Sequence, residues 1–61
     1  MTNLNQQELQ NLRHLIFSHE TASNKLDAYA RQVTDPQIKQ MFQQSAQDAK
    51  NAKHKLLTFL S

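Results

Sequence analysis

The chain has 61 residues, so it forms at most one small domain. A chain this short buries only about 60% of the surface its unfolded form exposes, which excludes a catalytic domain of ordinary size. Its composition, 38% hydrophobic with four aromatics, one Pro, no Gly and no Cys, excludes a disulfide scaffold and a thiolate metal site, and seven Lys plus Arg against five Asp plus Glu give +2, too mild a bias to dictate an acidic partner.

The N-terminus, Met1-Thr2-Asn3-Leu4-Asn5, lacks the charged-then-apolar layout of a secretory signal, and no stretch approaches the roughly 18 to 20 apolar residues of a membrane span. The expectation is a soluble intracellular product with no membrane partner. The end, Leu56-Leu57-Thr58-Phe59-Leu60-Ser61, closes an apolar face without a polar tail and reads as a finished terminus.

Helix 1 is expected from about 6 to 33. Asn5 can cap it, Glu8 sits three residues on to bond back, and Leu4 can staple against Leu9. Along it Leu9, Leu12, Ile16, His19, Ser23, Leu26, Ala30 and Val33 alternate spacings of three and four, the seam of a helix packed lengthwise on another. Leu15, Ala22 and Tyr29 recur every seven residues beside that seam and widen the apolar stripe beyond what a two-stranded coiled coil needs.

Thr34-Asp35-Pro36 ends the helix, because the residue before a proline is pushed out of the helical region while proline itself suits the first turn of a new helix. The turn is therefore placed at 34–35, with Asp35 capping helix 2 over about 36–60. Ile38, Phe42, Ser45, Ala49, Ala52, Leu56 and Phe59 form its seam, flanked by Met41 and Leu60. At about 1.5 Å per residue both helices are about 40 Å long, and the short connection makes them an antiparallel hairpin.

Folding at Asp35 sets Val33 near Ile38, Ala30 near Phe42, Ser23 near Ala49, His19 near Ala52 and Leu12 near Phe59, with bulk at the ends and small residues midway. Two helices cannot shield both sides of such stripes. The predicted fold class is all-α: a two-helix antiparallel hairpin that dimerises into a four-helix bundle. Its core and dimer interface are expected at Leu9, Leu12, Ile16, His19, Leu26, Tyr29 and Val33 of helix 1, and at Ile38, Phe42, Ala49, Ala52, Leu56 and Phe59 of helix 2.

Chemistry has few candidates. A di-iron or di-manganese bundle needs Glu on one helix and Glu-x-x-His on its partner, spaced so that both ligands face inward. Helix 2 offers Ala49 and Ala52 at that level, with Asp48 beside the seam and His54 six residues further. His14 and His19, five apart, make a poor metal pair. A core-edge histidine bonded to Ser23, a partner chain or water accounts for His19 better than a ligand role, and Glu20 reads as a solvated or interchain-paired carboxylate. No Ser-His-acid set with an oxyanion hole can be assembled, so no catalytic residue, cofactor or metal is expected. Lys50, Lys53, His54 and Lys55 complement the dipole at a helix C-terminus, and two Arg are too few to favour nucleic acid.

Ser18-His19-Glu20 within helix 1, Tyr29-Ala30 near its end, the turn Thr34-Asp35-Pro36-Gln37-Ile38-Lys39-Gln40 and then Phe42-Gln43-Gln44 resemble the small proteins related to spore coat protein F of endospore-forming bacteria. The resemblance runs from about Leu4 to Leu60 and is most specific in the turn. It implies a reduced ferritin-like bundle. Many members carry a Glu-x-x-His-like pattern on helix 2, where this chain reads Ala49-Lys50-Asn51-Ala52; only Glu20 carries over, without a partner. The resemblance implies a structural role as a homodimer, alongside other spore coat proteins, in the cytoplasm of the sporulating cell or in the spore coat. The competing reading is a binding module whose stripe docks on a larger protein or nucleic acid; a ferritin-like metal or redox enzyme is the weakest of the three.

Overall fold

The computed structural model describes residues 4–60, and among them the chain is two helices and one short 3-10 turn: α1 (Gln6–Gln32), α2 (Pro36–Leu57) and Thr58–Leu60. α1 opens on a complete capping box: the Asn5 side chain accepts from the Glu8 amide at 2.7 Å, and the Glu8 carboxylate accepts from the Asn5 amide at 3.2 Å. Two of the amide groups that a helix start leaves without an intrahelical partner are thereby satisfied.

α1 closes at Gln32, one residue short of the boundary expected from the sequence. Val33 is its C-cap with extended backbone, φ −81° and ψ 147°, while its N–H still donates to the Tyr29 carbonyl at 3.1 Å. The reversal thus occupies Val33 to Asp35. Asp35 is extended, as its place before Pro36 demands, and its carboxylate accepts from the amides of Gln37 at 2.8 Å and Ile38 at 3.1 Å. Pro36 follows at the first helical position, where a missing N–H costs nothing.

The other departure is at the far end. The sequence pattern extends helix 2 to about 60, whereas α2 stops at Leu57 and Thr58–Leu60 wind more tightly. The Thr58 hydroxyl donates to the Lys55 carbonyl at 2.6 Å, a local side-chain bond that competes with continuation of the helix.

Three cross-helix contacts mark the register. The Tyr29 and Phe42 rings lie 5.9 Å apart and tilted, Lys50 pairs with Asp27 at 3.2 Å, and Lys53 pairs with Glu20 at 3.7 Å. All three belong to an antiparallel hairpin in which Ala30 stands opposite Phe42. The hairpin measures 46 × 15 × 11 Å, one layer of helices with no second layer behind it.

Its interior is made of few and mostly small residues. The buried ones are Leu12, Ser23, Ala30 and Ala46, and Ala46, at 1% exposure, is the most enclosed. Small side chains at these levels let the helix backbones approach, and Ser23 is compatible with burial because its hydroxyl donates to the Glu20 carbonyl at 2.9 Å.

Stability should respond to both the turn and this close contact. Asp35→Ala removes the acceptor of two amides and is expected to lower unfolding free energy by about 1 kcal/mol. Ala46→Leu must force the helices apart and is expected to cost about 1–3 kcal/mol. Urea unfolding followed by far-UV circular dichroism measures both; an unchanged midpoint for Ala46→Leu would show that the helices do not meet there.

Candidate functional site

The feature that stands out is an apolar surface. Among the described residues nine large hydrophobic side chains are exposed and three hydrophobic residues are buried, so the contact between α1 and α2 leaves much of the apolar pattern uncovered. Its layout follows from helical geometry. At about 100° per residue, Leu15, Ala22 and Tyr29 lie roughly 80° to one side of the α1 contact stripe; Met41, Ala52 and Phe59 lie in the same angular sense from the α2 stripe, and Ile38 stands at its edge. In antiparallel helices, equal senses of offset project on the same side of the hairpin. The ion pairs Asp27–Lys50 and Glu20–Lys53 are offset in the opposite sense and do meet each other, as this geometry requires.

The hairpin therefore has two unlike sides. One presents Leu15, Tyr29, Ile38, Met41 and Phe59, all exposed, with the smaller Ala22, Ser45 and Ala52 midway. The other carries the ion pairs and, toward the open end, a groove of about 350 Å³ between Ile16, Phe17, Leu57 and Leu60, bounded by Gln10, Arg13 and His14. Phe17, at 69%, is the most exposed of the large hydrophobics.

The expected core and interface residues divide between the contact and the apolar side. Leu12 is buried, and Leu9, Ile16, His19, Leu26, Val33, Phe42, Ala49, Ala52 and Leu56 are half-buried along the contact between the helices. Tyr29, Ile38 and Phe59 are exposed on the apolar side. Ala46, next to the predicted seam position Ser45, is more deeply enclosed than any seam residue; an alanine beside a serine gives no periodic signal strong enough to mark it in advance.

His19 does not bond to Ser23. Its Nδ1 stands 2.8 Å from the Leu15 carbonyl, an acceptor only, so Nδ1 carries the proton and donates one turn back along α1. Ser23 bonds instead to Glu20. Glu20, read from the sequence as solvated or paired between chains, pairs within the chain to Lys53. Lys50 and Lys53 were likewise legible only as a cationic helix end, yet both cross to α1. The signal that could have found them is the opposite-charge match of Glu20 and Asp27 with lysines at the facing levels.

Among the described residues no three His, Cys, Asp or Glu side chains come together in a group able to hold a metal ion. Ala49 and Ala52 are half-buried where a ligand pair would have to stand, and they have no donor atoms. No helix among the described residues is long and apolar enough to cross a membrane. Comparison of the chain with protein-family models, with characterised proteins and with solved structures gave no match.

The outer polar surface is held by short amide bonds one turn apart: Gln7 to Asn11 at 3.3 Å, Gln44 to Asp48 at 3.0 Å and Gln47 to Asn51 at 3.1 Å. These stiffen solvent-facing ridges of each helix without building a pocket. The ion pairs are partly exposed, so each is worth well under about 1 kcal/mol in ordinary salt. Lys50→Gln and Lys53→Gln are accordingly expected to shift the urea midpoint only slightly, with the difference vanishing by about 1 M salt, where screening reaches about 3 Å. A large, salt-insensitive loss in either variant would assign these lysines a role beyond the surface pair.

Proposed function

We propose that this chain is a non-enzymatic structural protein that self-associates as a homodimeric four-helix bundle and takes its place in a spore coat assembly. The observation that carries the reading is the imbalance of burial: among the described residues, nine exposed large hydrophobics over three buried hydrophobic residues on a one-layer hairpin. A second hairpin laid on the apolar side supplies the missing layer. The area agrees. The chain exposes 4871 Å², whereas a compact protein of 7.1 kDa exposes about 4,100 Å²; the surplus, about 800 Å², is what one partner contributes to a standard interface.

The setting in the coat rests on the resemblance to the relatives of spore coat protein F, carried by the Thr34-to-Gln40 turn and the segments around it. Two features favour an assembly role over catalysis. The candidate chemical groups are dispersed or engaged with each other, with His19 on a backbone carbonyl and Glu20 on Lys53. The polar faces are rich in amides, with nine Gln and five Asn in the chain, and such faces form many weak contacts without charge repulsion. Nucleic acid is disfavoured for a related reason: Lys50 and Lys53, half of the basic cluster, already face Asp27 and Glu20.

The mass of the purified chain in solution, followed through a dilution series by light scattering, tests the first half. A dimer at micromolar concentration is expected; a chain that stays cooperatively helical and monomeric there would sink the reading. A fluorescent fusion expressed from the native promoter tests the second half, with signal expected only in sporulating cells and gathered around the forespore. Diffuse signal in growing cells, or nucleic acid captured by the chain and lost on neutralising Lys50, Lys53 and Lys55, would favour a binding module instead.

A further inference from the structure

We propose that the groove at the open end is a binding site for a single-chain amphiphile with an anionic head, a fatty carboxylate, whose chain lies along Phe17, Leu57 and Leu60 and whose head meets Arg13. The groove is on the side away from the surface assigned to self-association, so this site does not depend on the dimer.

The walls favour a hydrocarbon. Ile16 and Phe17 of α1 line the groove together with Leu57 and Leu60 over about 350 Å³, and polar groups enter only at the border, from Gln10, Arg13 and His14. That volume is within the range of small-ligand sites, which combine apolar walls with a few polar groups that orient the ligand. Phe17, Leu57 and Leu60 are all exposed, so the packing of the hairpin leaves these walls uncovered. A helix is the wrong shape for the place: about 10 Å across with its side chains, it would also cover Arg13 and the Glu20–Lys53 pair at a desolvation cost. An extended carbon chain is narrow enough to lie between them.

The sign of the head follows from which charges are already matched. The chain has five acidic side chains, and each has a partner of its own: Glu8 the Asn5 amide, Glu20 Lys53, Asp27 Lys50, Asp35 the amides of Gln37 and Ile38, and Asp48 the Gln44 side chain. Arg13, exposed at the border of the groove, makes no ion pair among the described residues. Glu8, five residues before it, stands about 140° round the helix, and Glu20, seven residues after it, is on the same face but neutralised by Lys53. The border is therefore cationic rather than mixed. The guanidinium presents a planar fork of donors that matches a carboxylate. A carboxylate held there leaves its hydrocarbon tail over the apolar floor.

Decanoate, held below the concentration at which it forms micelles, is the probe, and its site is read from amide shifts in two-dimensional NMR of the full chain. Saturable binding is expected, with shifts concentrated at Arg13, Phe17, Leu57 and Leu60. Affinity is expected to rise about twofold per CH2 from hexanoate through octanoate to decanoate, because an open groove buries each methylene on one side only. Arg13→Gln is expected to weaken decanoate about fivefold and not to weaken decyltrimethylammonium, which carries the same chain on a cation. Leu60→Ser, at an exposed position outside both α-helices, is expected to weaken both. No saturable binding overturns the proposal, as does equal affinity of the parent chain for the two amphiphiles or a set of shifts centred on Leu15, Tyr29 and Met41. Binding to phosphatidylglycerol vesicles by a chain that does not hold monomeric decanoate would make the surface a membrane contact and overturn it too. Light scattering keeps the site separate from self-association: decanoate is expected to leave the mass unchanged, whether monomer or dimer, whereas a dimer split by decanoate would show that a second copy covers the groove and overturn the site.

Discussion

Two helices side by side have one line of contact, and each helix here carries an apolar stripe wider than one line can cover. That mismatch governs the molecule. The contact line is satisfied by Leu12, Ala30 and Ala46 with half-buried neighbours, and its smallest members, together with Ser23, set how closely the backbones approach. Everything left over is displaced to one flank or the other. The flanks differ because charge is sorted between them: the acids Glu20 and Asp27 stand on the flank that α2 answers with Lys53 and Lys50. The apolar remainder is thereby concentrated where no charge pair must be disturbed to cover it.

The reversal at Val33–Asp35 is the device that makes this possible in a glycine-free chain. Helices very commonly end on a left-handed residue, usually glycine, yet no positive φ occurs here among the described residues. The chain instead turns through extended residues that ordinary side chains adopt without strain, and each helix end compensates for its loose groups with local bonds: Val33 donating back to Tyr29, and Asp35 accepting from two amides ahead of it. A short, stiff connection leaves little freedom in how the helices align, so the cross-helix ion pairs and the Tyr29–Phe42 contact refine a register that the turn largely imposes.

Periodicity and capping chemistry made the fold legible in the sequence. The Asn5 box and the Asp35-Pro36 start are local rules that tertiary structure has no reason to override, and both helices follow a three-four repeat. The tip at Thr58 escaped because the apolar spacing continues through Phe59 and Leu60 while the tightening comes from a hydroxyl on a backbone carbonyl, which leaves no periodic trace. The site was legible only as a width. That Leu15, Ala22 and Tyr29 flank the seam is visible at once, but whether they share a side with Met41 and Phe59 depends on the handedness of two antiparallel helices considered together. The ion pairs were missed for the same reason, since Lys50 and Lys53 taken on their own helix look like dipole partners at a C-terminus.

The same sorting bears on why chemistry is sparse. A reactive site in a bundle is made by polar groups facing inward at the middle layers, where packing excludes water and ligands can be held from several helices. Here the middle layers are Ser23, Ala46, Ala49 and Ala52, small enough for close approach, and near those levels Glu20 and Asp27 are turned to the flank and matched with Lys53 and Lys50. A centre of small residues lets the helix backbones approach and places few donor atoms between them.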